Sequence, residues 1–237
     1  MANKLNFENL KDLDFKVNES YKRIRTNISF SGEDIKVITM TSSVPNEGKT
    51  EVSFNISRSF AEDGKKTLFI DADIRKSVVL ARYGVDKEVV GLSHYLSGQT
   101  KKSEDIIYET NVPNLDVILT GTKSPNPAEL LGSNKFASLI DMLREKYDYI
   151  IIDCPPLGAV IDAVLVAKIS DGTIILIEAD NVSYKTVQTV KKQLEQGDCK
   201  ILGAILNKVE SSGKGYYGYY KGYYGYYNSY GDEEKES

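Results

Sequence analysis

A lysine set between glycine and threonine can hold phosphate. In this 237-residue sequence Gly48, Lys49 and Thr50 close the run SSVPNEGKT, Ser42 to Thr50, between an apolar stretch and a helical one. Backbone N–H groups and a helix N-terminus at such a turn face an anion. The Lys49 ammonium can neutralise terminal phosphate oxygens, and the Thr50 hydroxyl can reach Mg²⁺. The first glycine of the usual pattern, six residues before the lysine, is Ser43 here. On its own, the run also fits an ordinary glycine turn before a helix. Two further runs add carboxylates. LFIDADIRK carries Asp71 and Asp73, and YIIIDCPP carries Asp153. Hard cations such as Mg²⁺ take one or two carboxylates together with phosphate oxygens. One aspartate at a strand end could be a simple cap. Three of them beside Gly-Lys-Thr point to a nucleotide site.

Those residues need a scaffold that brings them to one edge. Short apolar runs supply it: Ile35–Thr41, Thr67–Asp71, Leu115–Leu119, Tyr149–Asp153, Thr173–Glu178 and Ile201–Asn207. Most are apolar throughout, which suits strands buried on both faces of a parallel sheet. Helical patterns fall between them, near Val17–Ser29, Thr50–Asp63, Lys135–Lys146, Ile161–Ile169 and Ser183–Gln196. The pattern predicts an α/β fold with a doubly wound, mostly parallel sheet, whose ligands bind beyond the C-terminal strand ends. A formal net charge of −4 argues against a nucleic-acid coat protein. No apolar run reaches the ~18 residues of a membrane span. The first ten residues lack the basic start and apolar core of a signal peptide. Cys154 and Cys199 are too few and too far apart for a disulfide framework, and suit a reducing cytosol.

The C-terminal end has a different composition. Nine of the 16 tyrosines lie between Tyr216 and Tyr230, in a twice-repeated KGYYGYY followed by an acidic end. From Ser211 to Ser237 there is no Leu, Ile, Val or Phe. Such a segment cannot bury enough apolar surface to fold alone. Residues 1–210 are therefore expected to form one domain, and 211–237 a flexible tyrosine-cluster tail.

The combination resembles one family, the bacterial tyrosine kinases of capsule and exopolysaccharide loci, in the stand-alone cytosolic form found with a separate membrane adaptor. SSVPNEGKT is similar to its Walker A, FIDADIRKS to its Walker A′, IIIDCPP to its Walker B, and Tyr216–Tyr230 to its tyrosine cluster. The resemblance implies a P-loop NTPase fold with a deviant, MinD/ParA-like Walker A, using ATP and Mg²⁺. The nucleotide-binding positions it implies are Pro45, Asn46, Glu47, Gly48, Lys49, Thr50 and position 51, which is a glutamate, Glu51. It implies catalytic roles for Lys49, Asp71 and Asp73, with Asp73 as the base toward a tyrosine phenol, and metal-linked roles for Asp71 and Asp153. The implied partners are a membrane adaptor of the polysaccharide co-polymerase type, a cognate tyrosine phosphatase, and further copies of the chain in a ring. The implied place is the cytoplasm, at the inner face of the membrane when the adaptor recruits it. Glu19–Ile28 resembles the family's oligomerisation motif Glu-x₂-Arg-x₂-Arg, with Lys22 at the middle position.

Other residues carry weaker signals. Val17, Tyr21, Ile24 and Ile28 make one apolar helical stripe. Lys22 and Arg25 repel on a neighbouring face, and a Glu19 from another subunit would relieve them. Arg75 and Lys76 could stabilise phosphate or be a solvated basic pair. Asp162 could be a switch residue or a helix cap. Asn207, at the end of a strand, could read an adenine edge, as in related ATPases, or open the loop to the tail. His94 is alone and has no assigned role, and Cys154 reads as a packed thiol. Of the competing readings, a ParA/MinD-type positioning ATPase would show a signature lysine where Val44 stands. A tyrosine-rich adhesion module would leave Lys49 and the three aspartates unexplained.

Overall fold

The computed structural model describes residues 3–85 and 88–209. The tyrosine cluster and the boundary drawn at residue 210 lie outside them. Eight strands form one sheet: β1 (Asn3–Leu5), β2 (Val37–Ser42), β3 (Thr67–Asp71), β4 (Ile107–Thr110), β5 (Leu115–Ile118), β6 (Tyr149–Asp153), β7 (Gly172–Glu178) and β8 (Ile201–Asn207). Their order is β1-β4-β5-β3-β6-β2-β7-β8. Every pairing is parallel except β4 with β5, so β1 and β4 run opposite to the other six. Eight helices connect them: α1 (Phe15–Ser29), α2 (Lys49–Glu62), α3 (Val79–Arg82), α4 (Leu92–Leu96), α5 (Pro127–Leu131), α6 (Asn134–Arg144), α7 (Asp162–Ala167) and α8 (Tyr184–Gln196).

The continuous apolar runs are explained by two cores. Along β6, Ile150 and Ile152 face a core that includes Phe136 and Leu139 of α6 and Leu194 of α8. Ile151 faces the opposite way, toward Tyr21 and Ile28 of α1 and Ile56 and Phe60 of α2. A strand with helices on both faces has no side to leave polar. The core on the α2 side continues outward through Phe54, Phe69, Tyr83 and Phe7, whose rings meet edge-on or tilted at 4.2–5.5 Å.

Sequence and structure part in three places. β1 has three residues and β4 four, too short to show a period, and neither was predicted. β8 reads as a buried strand but forms a sheet edge, where Leu206 is 56% exposed. Its apolar composition fits the inner neighbour β7 and not the open side. On α1 the stripe does pack, with Tyr21 and Ile28 buried. The charges beside it, however, are satisfied within the chain: Lys22 pairs with Glu19 at 2.7 Å, and Arg25 with Asp63 at 3.1 Å and the Ser59 carbonyl at 2.8 Å. The repulsion therefore needs no second subunit to relieve it. Among the described residues, no helix is long and apolar enough to cross a membrane.

Candidate functional site

The C-terminal ends of β2, β3 and β6 lie side by side, and each releases one part of the site. β2 ends at Ser42 and passes into the loop that starts α2. Gly48 flanks the helix in a left-handed conformation (φ 89°) and gives it no side-chain cap. The first-turn N–H groups are therefore left for an anion, and the helix dipole favours one. Asn46 is also left-handed (φ 70°), so the loop reverses twice around Glu47. Gly158, in the loop after β6, allows a close approach: a Cβ there would lie 2.1 Å from the Ser43 carbonyl.

β3 and β6 pair in register, Asp71 beside Asp153. Both carboxylates are buried, at 1% and 0% exposure. Lys49 reaches across from α2 and places Nζ 2.6 Å from Asp153 Oδ1, with Ser53 Oγ at 3.3 Å from the same oxygen. Burial works against the Lys49 charge, but Asp153, Asp73 and Asp71 outweigh it and raise the ammonium's pKa above the usual value. Asp153 Oδ2 is buried and has no hydrogen-bond partner among the described residues. An unpaired carboxylate oxygen in this position suits a cation. Asp71 accepts from the Ser77 hydroxyl and from the Asp73 N–H (3.1 Å). Burial first, and the Asp153 charge second, raise its pKa to about 7.

An extended run through LFIDAD would put Asp71 and Asp73 on one face, but the strand does not reach that far. β3 stops at Asp71 and the chain turns, with the Ile74 N–H on the Ala72 carbonyl and the Lys76 N–H on the Asp73 carbonyl. Asp73 is half-buried at the rim, its Oδ1 accepting the Lys76 N–H at 3.0 Å. Burial raises its pKa above the ordinary carboxylate value, against the pull of Lys49.

The remaining candidates fall as follows. Pro45 and Asn46 are exposed at the tip of the loop, and Thr50 is half-buried. Glu51 turns outward to Arg82 at 2.6 Å. Glu47 is buried and accepts the N–H groups of Val44 (2.7 Å) and Glu178 (3.0 Å). Asn207 Nδ2 donates to the Glu47 carbonyl at 2.8 Å. Cys154 is buried and its thiol pushed well up by burial, as a packed thiol should be. His94 accepts the Gly91 N–H at the start of α4.

Arg75 is exposed at the surface but held in an ion pair. Its guanidinium forks onto Asp162, Nε to Oδ2 at 2.7 Å and Nη2 to Oδ1 at 2.9 Å. Asp162 is the first residue of α7 and makes no cap; its carboxylate is 1% exposed. The pair ties the turn after β3 to the loop after β6. Arg75→Ala would leave a buried carboxylate without its fork. Stability is expected to fall by about 2 kcal/mol, read as a lower urea midpoint. Arg75→Ala combined with Asp162→Asn should recover part of it. Equal midpoints for Arg75→Ala and wild type would show that the pair carries no stability.

A mostly parallel sheet with Gly-Lys-Thr where the loop after β2 enters α2, and carboxylates on the neighbouring strand ends, defines a P-loop nucleotide-binding domain. The AAA domain family matches residues 35–201. A tyrosine-protein kinase, CpsD of Streptococcus pneumoniae, is 43% identical over 214 residues, covering 89% of this chain and 94% of that protein. The crystal structure of the chimerical protein CapA2B2 superposes with a TM-score of 0.77 at 33% identity, covering 81% of this chain and 85% of that one. MinD of Pyrococcus horikoshii OT3, solved with Mg-ADP, gives 0.64 at 28% identity, covering 75% and 72%. The chain belongs to the bacterial tyrosine-protein kinases, within the AAA domain family.

Proposed function

We propose that this kinase transfers the γ-phosphoryl group of Mg-ATP to the tyrosines of its own cluster, Tyr216–Tyr230, between copies of the chain. The observation that carries the reading is the division among three aspartates. Asp71 and Asp153 are buried together, with an unpaired oxygen on Asp153, while Asp73 stands at the rim with its pKa raised. In this reading the buried pair serves the cation and Asp73 takes the phenol proton. A tyrosine phenol has a pKa near 10, so it is almost wholly protonated at pH 7. In a loose transition state its proton leaves late, and a carboxylate suffices as acceptor. Lys49 and the open N–H groups of α2 hold the β- and γ-phosphates, with Thr50 on the Mg²⁺. When bound, Mg²⁺ neutralises charge on the transferring group.

A tail as flexible as its composition predicts would be long enough for the task. A flexible chain of ~27 residues has an end-to-end distance of roughly 26–31 Å. Nine phosphates would add roughly −13 to −18 charges against a net charge of −4. Copies held together would repel, so phosphorylation would loosen the assembly. The family resemblance further implies that the kinase works with a membrane adaptor and an opposing tyrosine phosphatase to regulate capsule or exopolysaccharide polymerisation and export. The test is incubation with Mg-ATP, with and without an adaptor-derived cytosolic peptide, followed by mass-spectrometric mapping. Phosphotyrosine within Tyr216–Tyr230 is expected, and Asp73→Asn should lower its rate about 10²-fold or more. Hydrolysis of ATP with no phosphotyrosine, even with the peptide, would point instead to a positioning ATPase of the MinD kind.

A further inference from the structure

A carboxylate inside a phosphate-holding loop should repel its ligand. Glu47 occupies that position, yet it is 1% exposed and both of its oxygens are engaged behind the loop. Oε2 accepts the Val44 N–H at 2.7 Å, at the start of the same loop. Oε1 accepts the Glu178 N–H at 3.0 Å, at the end of β7. The left-handed residues on either side, Asn46 and Gly48, turn the chain so that this side chain lies inward. The Glu47 carbonyl is held in turn by Asn207 Nδ2 at 2.8 Å, from the end of β8. Asn207 lies hard against the loop: a Cβ on Gly48 would be 2.4 Å from Nδ2. Its own carbonyl accepts the Ala179 N–H at 2.9 Å, which ties the ends of β7 and β8 together.

We infer that Glu47 and Asn207 are positioning residues that hold the phosphate loop in its anion-receiving shape before nucleotide arrives, with the ends of β7 and β8 as the anchor. The inference rests on the reading that this loop takes the phosphates of ATP. A loop fixed in advance loses less freedom on binding, and its N–H groups need no reorganisation when the anion enters. Glu47 suits the task because a carboxylate only accepts, and two backbone donors converge on it, one from its own loop and one 131 residues away. Glutamine keeps the size but turns an N–H₂ toward one of those donors. The inference also separates two roles for Asn207. An adenine reader would matter only to ligands that carry a base. A loop clamp matters equally to a bare phosphate chain.

The test is calorimetric titration of the full chain with Mg-ATP and with Mg-tripolyphosphate, together with steady-state kinase rates. Glu47→Gln and Asn207→Ala are each expected to weaken both ligands about tenfold. They should raise KM for ATP by a similar factor and leave kcat at saturating ATP within about twofold, since neither touches the transferring group. The double variant should lose less than the product of the two, because both act on one loop segment. Wild-type affinity for both ligands in a folded Glu47→Gln would overturn the inference. So would an Asn207→Ala that loses ATP alone, which would make Asn207 a base reader, or a kcat that falls by as large a factor as KM rises. If Glu47→Gln fails to fold, the tripolyphosphate comparison on Asn207→Ala decides. A wild-type chain that binds neither ligand would overturn the ATP reading itself, and the clamp with it.

Discussion

Lys49→Met should abolish tyrosine phosphorylation and also weaken the fold, for two separable reasons. The first is electrostatic. In the proposed reading the Lys49 ammonium stabilises charge that develops on the phosphates in transfer, and losing one such donor costs about 10²- to 10³-fold in rate. The second is specific to this chain. Lys49 Nζ is the 2.6 Å partner of Asp153, and both side chains are buried. Breaking a buried pair by removing one member costs about 3–5 kcal/mol, because the other charge stays in the interior. A dead Lys49→Met would then be ambiguous between a missing phosphate ligand and a loosened site. Lys49→Met with Asp153→Asn separates out the stability part alone, since Asp153 serves the cation in the proposed reading. The amide removes the orphaned charge, so the urea midpoint should return most of the way to wild type while phosphotyrosine stays absent. If the single variant unfolds at the wild-type midpoint, the buried pair contributes nothing to stability. If the double variant regains activity, Lys49 is not a phosphate ligand.

The same residues show how far the sequence could be read. The three aspartates were legible because each sits at or just beyond the end of an apolar run. A parallel sheet brings such ends to one edge whatever the order of its strands. Five of the six runs lie in the sheet interior for the same reason: Ile150, Ile151 and Ile152 in succession leave no polar face. The sixth, β8, has the same composition but lies at an edge. None of its residues is buried, so its apolar run is no mark of a buried strand. The links that shape the site were not legible. Arg75 meets Asp162 across 87 residues, and Glu47 meets Glu178 across 131. A carboxylate that accepts backbone N–H groups leaves no pattern in sequence, since any residue supplies the donor. Strand alternation would put Asp73 beside Asp71, but β3 stops at Asp71. A turn brings it there instead, with its N–H on the Asp71 carboxylate. The charges on α1 misled in another way. Read alone, Lys22 and Arg25 repel, and only the packing of α1 on α2 puts Asp63 and the Ser59 carbonyl beside Arg25.

Asp71→Asn should make the nucleotide-free protein more stable near pH 8 and a far slower kinase. Asp71 is buried beside Asp153, and its pKa rises from the unfolded value near 3.9 to about 7 in the fold. Burial is the larger cause, and the Asp153 charge adds to it. Below about pH 4 the carboxyl holds its proton in both states. Between roughly pH 4 and 7 only the folded state holds it, so stability falls as pH rises through that window and levels off above. The full span is of the order of 4 kcal/mol, taking one pKa unit as about 1.4 kcal/mol. Asparagine carries no charge to bury. Its carbonyl can still accept the Asp73 N–H, and the Ser77 hydroxyl can turn to accept from its amide. The variant should therefore lose Asp71's share of the slope, and its gain over wild type should grow from about pH 4 to pH 7. The comparison cancels every carboxylate except Asp71 and its neighbour Asp153, whose charge bears on it. A constant difference in urea midpoint across that range would mean that Asp71 does not titrate there. Catalysis should move the other way. In the proposed reading the ionised carboxylate serves the cation, and removing it should cost about 10²-fold or more at saturating Mg-ATP. A carboxylate kept where it weakens the empty fold is then explained by the charge that a bound cation returns to it.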